Sequence, residues 1–268
     1  MFEKKNYTKF KKNVDVSTFN IGAASEYPQC FLNVNRNKEK KKIIKKSFQN
    51  VYKKISILKS PIFFPSGGSY KISGKFFDLN KFVAIPNSHQ LQKMGSKKIQ
   101  LINLIGGKSL LINNNLKVLG QNKTNYSFKN NKIRKLKYKY EKQSDKFNLS
   151  QFNEVFYESL ANYFTRIRRY KVNKAWDVNF YLFDNLKLNK KNNIDFKKSK
   201  LLKKYNLNYP NNGKKYLLDL FLDSKLFLTL LKRKISWNTA LSGSLILFKR
   251  KPNKFVPDIP FSLNFLTV

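Results

Sequence analysis

The sequence predicts an α/β fold on three observations. Apolar residues recur at helical spacing in long stretches, short apolar or alternating runs between them read as strands, and Gly, Pro and Asn mark the turns. Hydrophobic residues make up 41% of the chain and aromatics 15%, enough for a core, which excludes a wholly disordered basic polymer.

Residues 1–13 are a basic lead-in. Val14 to Phe19 reads as a buried strand, closed by Gly22-Ala23-Ala24-Ser25 and Pro28. From Glu39 to Leu58 the spacing predicts a helix. Ile43, Ile44, Phe48, Val51, Ile55 and Leu58 fall on one stripe, while Lys40 to Lys42, Lys45, Lys46, Lys53 and Lys54 take the other face. Pro61 ends it. Ile62 to Phe64 reads as a strand before the Pro65-Ser66-Gly67-Gly68 turn, and further strands are expected at Phe82–Ile85 and Gln100–Leu104.

A stretch thin in apolar residues and rich in Asn, Lys and Ser then covers 108–146 and reads as an insertion. Gln151 to Arg168 is the second predicted helix, with Phe152, Val155, Phe156, Leu160, Tyr163 and Phe164 on one side. Asp177 to Phe183 reads as a strand, and 186–212 as a second basic insertion. Tyr216 to Arg233 is the third predicted helix, followed by strands at Ser244–Phe248 and Phe261–Leu266. The expectation is one α/β domain over 14–268, carrying two insertions behind an N-terminal extension.

Charge narrows the partners. Lys and Arg number 55 against 15 Asp and Glu, a formal net charge of +40. Self-repulsion at this density opposes an isolated compact chain, so phosphates are the expected neutralising partner. An AT-biased genome accounts for many of the lysines but not for the shortage of acids. The single Cys30 excludes an internal disulfide framework and a Cys-rich zinc site, and the lone His89 excludes a multi-histidine metal centre. No cofactor is expected. No apolar run is long enough for a transmembrane segment, and the N-terminus lacks a secretory h-region.

Two basic clusters are candidate RNA contacts. Arg134 to Lys142 alternates cations with Leu136, Tyr138 and Tyr140, so an extended strand would place charges on one face and Leu136, Tyr138 and Tyr140 on the other, with Arg134, Lys135, Lys137 and Tyr138 as the candidate contacts. Arg166, Arg168 and Arg169, with Lys171, Tyr163 and Tyr170, pair phosphate grips with rings that stack on bases. A helix C-terminus also favours such cations. Gly106-Gly107-Lys108-Ser109 lacks the earlier glycine of a phosphate loop, since Ile102 stands there, and reads as a turn. Asp219 and Asp223 sit four apart, where capping and salt bridging are the usual roles. Asn125-Tyr126-Ser127 matches a glycosylation sequon that has no meaning without secretion.

Three segments together resemble one family. They are Asn20 to Pro28 (Asn-Ile-Gly-Ala-Ala-Ser-Glu-Tyr-Pro), Phe64 to Tyr70 (Phe-Pro-Ser-Gly-Gly-Ser-Tyr), and the ending Leu230 to Asn238 with Gly243-Ser244-Leu245 and Arg250-Lys251-Pro252-Asn253. In order, they resemble the CMP-N-acetylneuraminate hydroxylase-like branch of the metallo-β-lactamase-fold superfamily. The resemblance implies the C-terminal half of a metallo-β-lactamase-like sandwich, without the His-rich metal motif of the first half. It carries no metal chemistry onto these residues. A half sandwich exposes an apolar sheet face at about 25 cal/mol per Å². A separate chain supplying the N-terminal half, or neighbours in a complex, would have to cover it.

The expected role is therefore a non-catalytic structural component of an organellar, mitochondrial ribosome, a pseudoenzyme scaffold with ribosomal RNA and neighbouring proteins as partners. Two other readings stay open. One is an accessory subunit of a mitochondrial respiratory complex, and the other is half of a split hydrolase that needs a metal-carrying partner chain.

Overall fold

The computed structural model of the chain describes residues 14–22, 25–66, 70–86, 100–102, 110–113, 118–121, 130–142, 147–172, 176–207 and 216–268. The lead-in, Gly67 and Gly68, His89, Gly106 to Ser109 and the sequon at Asn125 lie outside them. The chain is a mixed α/β protein that divides into two compact units. The first comprises Met1–Ala24, Asn37–Tyr70 and Ala84–Lys129, and the second Ser25–Arg36, Lys71–Val83 and Asn130–Val268.

In the first unit, β1 (Val16–Asn20) leads to α1 (Arg36–Leu58) and then to β2 (Ile62–Ser66), which pairs parallel with β1 and with the short β3 (Gln100–Leu101). Parallel neighbours need a crossover, and α1 supplies it for β1 and β2. The helix forms because its apolar stripe has a sheet to cover: Phe48, Val51 and Ile55 pack with Ile21 and Phe63, with Phe19 and Ile44 at the edge. Lys59, at φ 52, closes the helix, its N–H reaching the Ile55 carbonyl at 2.9 Å. A hairpin of β4 (Leu110–Ile112) and β5 (Val118–Gln121) completes the described part of this unit.

After the Ser25–Arg36 segment, the second unit continues with a 3₁₀ helix, Gly74–Phe82, followed by α2 (Asn130–Arg134), a 3₁₀ turn at Lys139–Lys142 and α3 (Leu149–Arg169). Then come β6 (Trp176–Phe183), β7 (Leu201–Leu207), β8 (Tyr216–Asp223), α4 (Ser224–Leu231), α5 (Trp237–Ser242), β9 (Leu247–Lys251) and α6 (Asp258–Leu263). The sheet order is β7-β6-β8-β9, with β6 and β8 parallel and both edge pairs antiparallel. Alternate residues Val178, Phe180 and Leu182 are buried. Phe180 stacks on Phe227 of α4 at 4.8 Å, and Phe156 of α3 lies 4.4 Å from Tyr205 of β7. Residues 30–32 bind the β9 edge, with the Phe248 N–H on the Cys30 carbonyl at 2.9 Å. Buried Arg36 staples this segment, donating to the carbonyls of Phe31 and Asn192, each at 2.8 Å.

Five local expectations are corrected. Tyr216 to Asp223 is a strand, and the helix starts only at Ser224. A central strand buried on both faces is mostly apolar, so Leu217 to Leu222, broken only by Asp219, leads through Asp223-Ser224-Lys225 into the apolar remainder of α4 with acids at a spacing that fits a helix as well as a strand. Phe261 to Leu266 is the end of helix α6 and an irregular tail, since Pro260 in a first turn has no backbone bond to lose. Arg134 to Lys142 is not extended, because it forms the end of α2 and a 3₁₀ turn. Phe82 ends a 3₁₀ helix, and no strand runs to Ile85. The 186–212 stretch contributes β7 and buries Leu186, Ile194, Tyr205 and Leu207, so much of it belongs to the core.

Candidate nucleic-acid interface

Both parallel strands of the second unit end side by side, Phe183 opposite Asp223. Crevices outside the carboxyl ends of parallel strands are where open α/β sheets take ligands. A cleft of about 850 Å³ lies here, lined by Asp184 and Asn185 after β6, by Asp223 at the end of β8 and by Lys225 of α4. Its other wall comes from Lys75 of the first 3₁₀ helix and from 134–137, Tyr140 and Glu141. Seven of its lining residues are cations (Lys75, Arg134, Lys135, Lys137, Lys187, Lys198 and Lys225), against Glu141, Asp184 and Asp223.

Asp223 organises this wall. It is 3% exposed. Its Oδ1 accepts the Leu186 N–H at 2.7 Å, and its Oδ2 accepts the Lys75 ammonium and the Tyr140 hydroxyl, the latter at 3.1 Å. Lys75 also stands 3.4 Å from Glu141 Oε1, and Glu141 Oε2 accepts the Tyr138 N–H at 2.8 Å. Burial first, then the Asp223 and Glu141 charges, push the Tyr140 hydroxyl far above the phenol range, so it stays a proton donor to Asp223. Gly74 begins the 3₁₀ helix at φ +59, and a Cβ there would sit 2.7 Å from the Leu136 carbonyl. Only glycine lets the two wall segments approach so closely.

With Asp223 and Glu141 matched internally, the remaining cleft is mainly cationic, the exposed Asp184 being its one other acid. Arg134 pairs with Asp78 at 2.9 Å, but both side chains are more than half exposed, so a phosphate can compete for it. Lys198 lies 3.8 Å from Asp195, a loose pair. Among the described residues no carboxylate lies within salt-bridge distance of Lys135, Lys137 or Lys187, and all three are exposed. Such a surface can hold phosphates without reading bases.

The two sequence clusters land at different places in the unit. Arg134, Lys135 and Lys137 line the cleft. Tyr138 supports its wall: its ring stacks on Tyr140 at 5.6 Å, and its hydroxyl donates to the Ser73 carbonyl. Burial raises its pKa. Arg168 and Arg169 are exposed at the end of α3. Arg166 is spent differently, since its Nη1 donates to the carbonyls of Phe265 at 3.0 Å and Thr267 at 3.2 Å, clamping the C-terminal tail. Tyr163 is a core residue, fully buried and bonded to Ser262 Oγ at 3.3 Å, so its ring is closed to bases.

Sequence reasoning held Lys187 and Lys198 only as part of the basic 186–212 stretch and missed Lys75 and Lys225, because the chain brings them together from distant segments. The one available signal was Asp223, an acid inside an apolar run. Other cations have a simpler role. Lys203 and Lys204 on edge strand β7, with Lys249 and Lys251 on β9, are what sheet edges use against aggregation.

Among the described residues, no group of three or more His, Cys, Asp and Glu is placed to hold a metal ion, and no helix is long and apolar enough to cross a membrane. Two of the segments that carry the family resemblance meet within the second unit. Arg250 lies over the rings of Tyr27 and Phe31 at 4.8 and 4.5 Å, and Asn253 Nδ2 donates to the Tyr27 hydroxyl at 3.1 Å. Comparison with protein-family models, with curated proteins and with solved structures yields no match.

Proposed function

We propose that this chain is a non-catalytic structural component of an RNA-rich assembly, a mitochondrial ribosome, and that the cleft of the second unit grips ribosomal RNA through its phosphates. The observation that carries the reading is the cleft itself. Two of its three acids, Asp223 and Glu141, are engaged inside the wall, while Arg134, Lys135, Lys137 and Lys187 face solvent beside it against the exposed Asp184. A net charge of +40 supplies the long-range attraction. The organellar setting is supported by a composition weighted to Lys, Asn, Ile, Phe and Tyr.

For ancestry, the proposal is the C-terminal half of a metallo-β-lactamase-like sandwich of the CMP-N-acetylneuraminate hydroxylase-like branch. Its support is the meeting of Tyr27 with Arg250 and Asn253, which the resemblance groups from opposite ends of the chain. The deciding experiment is sedimentation of mitochondrial lysate with and without nuclease. The protein should travel with ribosomal particles and leave them at high salt. Travel with detergent-solubilised respiratory complexes, indifferent to nuclease, would overturn the reading.

A further inference from the structure

We infer that Tyr170 is a stacking platform for one unpaired RNA base, with phosphate contacts from Arg168, Arg169 and Lys171. The inference rests on the RNA reading above and adds a base-directed contact to it. Tyr170 closes α3 and is 56% exposed, yet its ring is held in place. One face stacks on Phe265 at 5.1 Å with only 5° between the planes, and Phe265 meets Phe261 edge-on, also at 5.1 Å.

The tail that carries Phe265 is fixed in turn. Arg166 holds the Phe265 and Thr267 carbonyls, and Arg233 Nε donates to Thr267 Oγ1 at 2.8 Å. A ring backed in this way has little freedom left to lose when a base lands on it. The Arg169 guanidinium stands 5.9 Å from the Tyr170 centroid, within reach of a stacked base or its phosphate.

Charge selects the occupant. Arg168, Arg169, Lys171, Arg233 and Lys234 are all exposed. The sequence has no acid between Ser159 and Trp176, between Ser224 and Pro257, or after Asp258. Asp258, one turn before Phe261 on α6, is the one acid in 224–268, so cations far outnumber acids in the segments that meet at Tyr170, and a tyrosine needed only to pack a chain end would be covered. Base–aromatic stacking tolerates any base, so the ligand class is single-stranded RNA without sequence preference.

The test uses the full chain with an oligouridine strand and an RNA duplex of equal phosphate number, at one fixed salt concentration. Tyr170→Ala should weaken oligouridine binding about 5- to 150-fold and leave duplex affinity unchanged. Tyr170→Phe should restore the loss, and Tyr170→Trp should show fluorescence quenching with the single strand only. Tyr170→Phe and Tyr170→Trp, which keep the stack on Phe265, should leave the unfolding midpoint unchanged, while Tyr170→Ala should lower it by a few degrees without unfolding the chain. Equal oligouridine affinity for the wild-type chain and Tyr170→Ala, with Lys135→Gln/Lys137→Gln still weakening both RNAs, overturns the platform alone. Failure of the wild-type chain to bind either RNA overturns the RNA reading with it.

Discussion

Replacing Asp223 by Ala should detach the wall of the cleft. The carboxylate accepts from Lys75, the Tyr140 hydroxyl and the Leu186 N–H, and joins the end of β8 to two 3₁₀ segments and the loop after β6. Removing one partner of a buried ion pair costs about 3–5 kcal/mol, because the other charge is left uncompensated. Lys75 keeps 19% side-chain exposure and a second carboxylate, Glu141, at 3.4 Å, which places the loss at the lower end, about 3 kcal/mol. The Tyr140 hydroxyl, buried and held protonated, then loses its acceptor, adding about 1 kcal/mol. At roughly 2–4 °C per kcal/mol, the thermal midpoint should fall by roughly 8–16 °C. Circular dichroism melts with urea titrations at pH 7 read this directly. Lys75→Met in the Asp223→Leu background should recover much of the loss, since an apolar pair of similar volume replaces a buried ion pair at little cost. A loss below about 1 kcal/mol for Asp223→Ala would refute the claim that this carboxylate organises the cleft.

Arg166→Ala should cost about 1.5–3 kcal/mol and speed amide exchange over 265–268, leaving RNA-duplex affinity unchanged but weakening single-strand binding as the Phe265 backing of Tyr170 loosens. Phe156→Ala, which removes a ring packed on Phe152, Phe180, Tyr205 and Phe227, should cost about 3–5 kcal/mol by denaturant titration. Stability should also fall steeply in alkali. Burial pushes the Cys30 thiol from 9.0 up to about 12 and the Tyr163 hydroxyl from 10.0 up to about 12. Both groups hold their protons more tightly folded than unfolded. Their contribution is therefore complete below about pH 9 and is lost between about pH 9 and 12, at about 1.4 kcal/mol per group per pH unit. A melting temperature that stays flat from pH 8 to about 11 would contradict that burial.

What the sequence shows of this fold depends on how each element is buried. α1 is legible because one face is solvated, so Phe48, Val51 and Ile55 stand out against lysines at helical spacing. β6 is legible from Val178, Phe180 and Leu182, a short apolar run in the middle of polar chain. β8 is not, since strand and following helix are both apolar, and Asp219 and Asp223 share a face at either period. β7 hides among lysines because an edge strand needs them on its open side. The cleft was half legible. Arg134, Lys135 and Lys137 announce themselves as a basic run, but Lys187, Lys198 and Lys225 join them only through the pairing of β6 with β8. Arg166 shows the limit of reading charge from sequence. A cation at a helix C-terminus looks the same whether it meets a phosphate or the chain's own carbonyls.

Phosphate binding in the cleft would be read in the salt dependence of RNA affinity. The affinity of the full chain for a single-stranded ribosomal RNA fragment should fall linearly in log K against log salt, with a slope of about −2.8 to −3.5 if four or five cleft cations engage, at about −0.7 per phosphate. Lys135→Gln/Lys137→Gln should flatten that slope by about 1.4, with no change in melting temperature. A slope near zero, or a double variant that keeps the wild-type slope, would contradict the account.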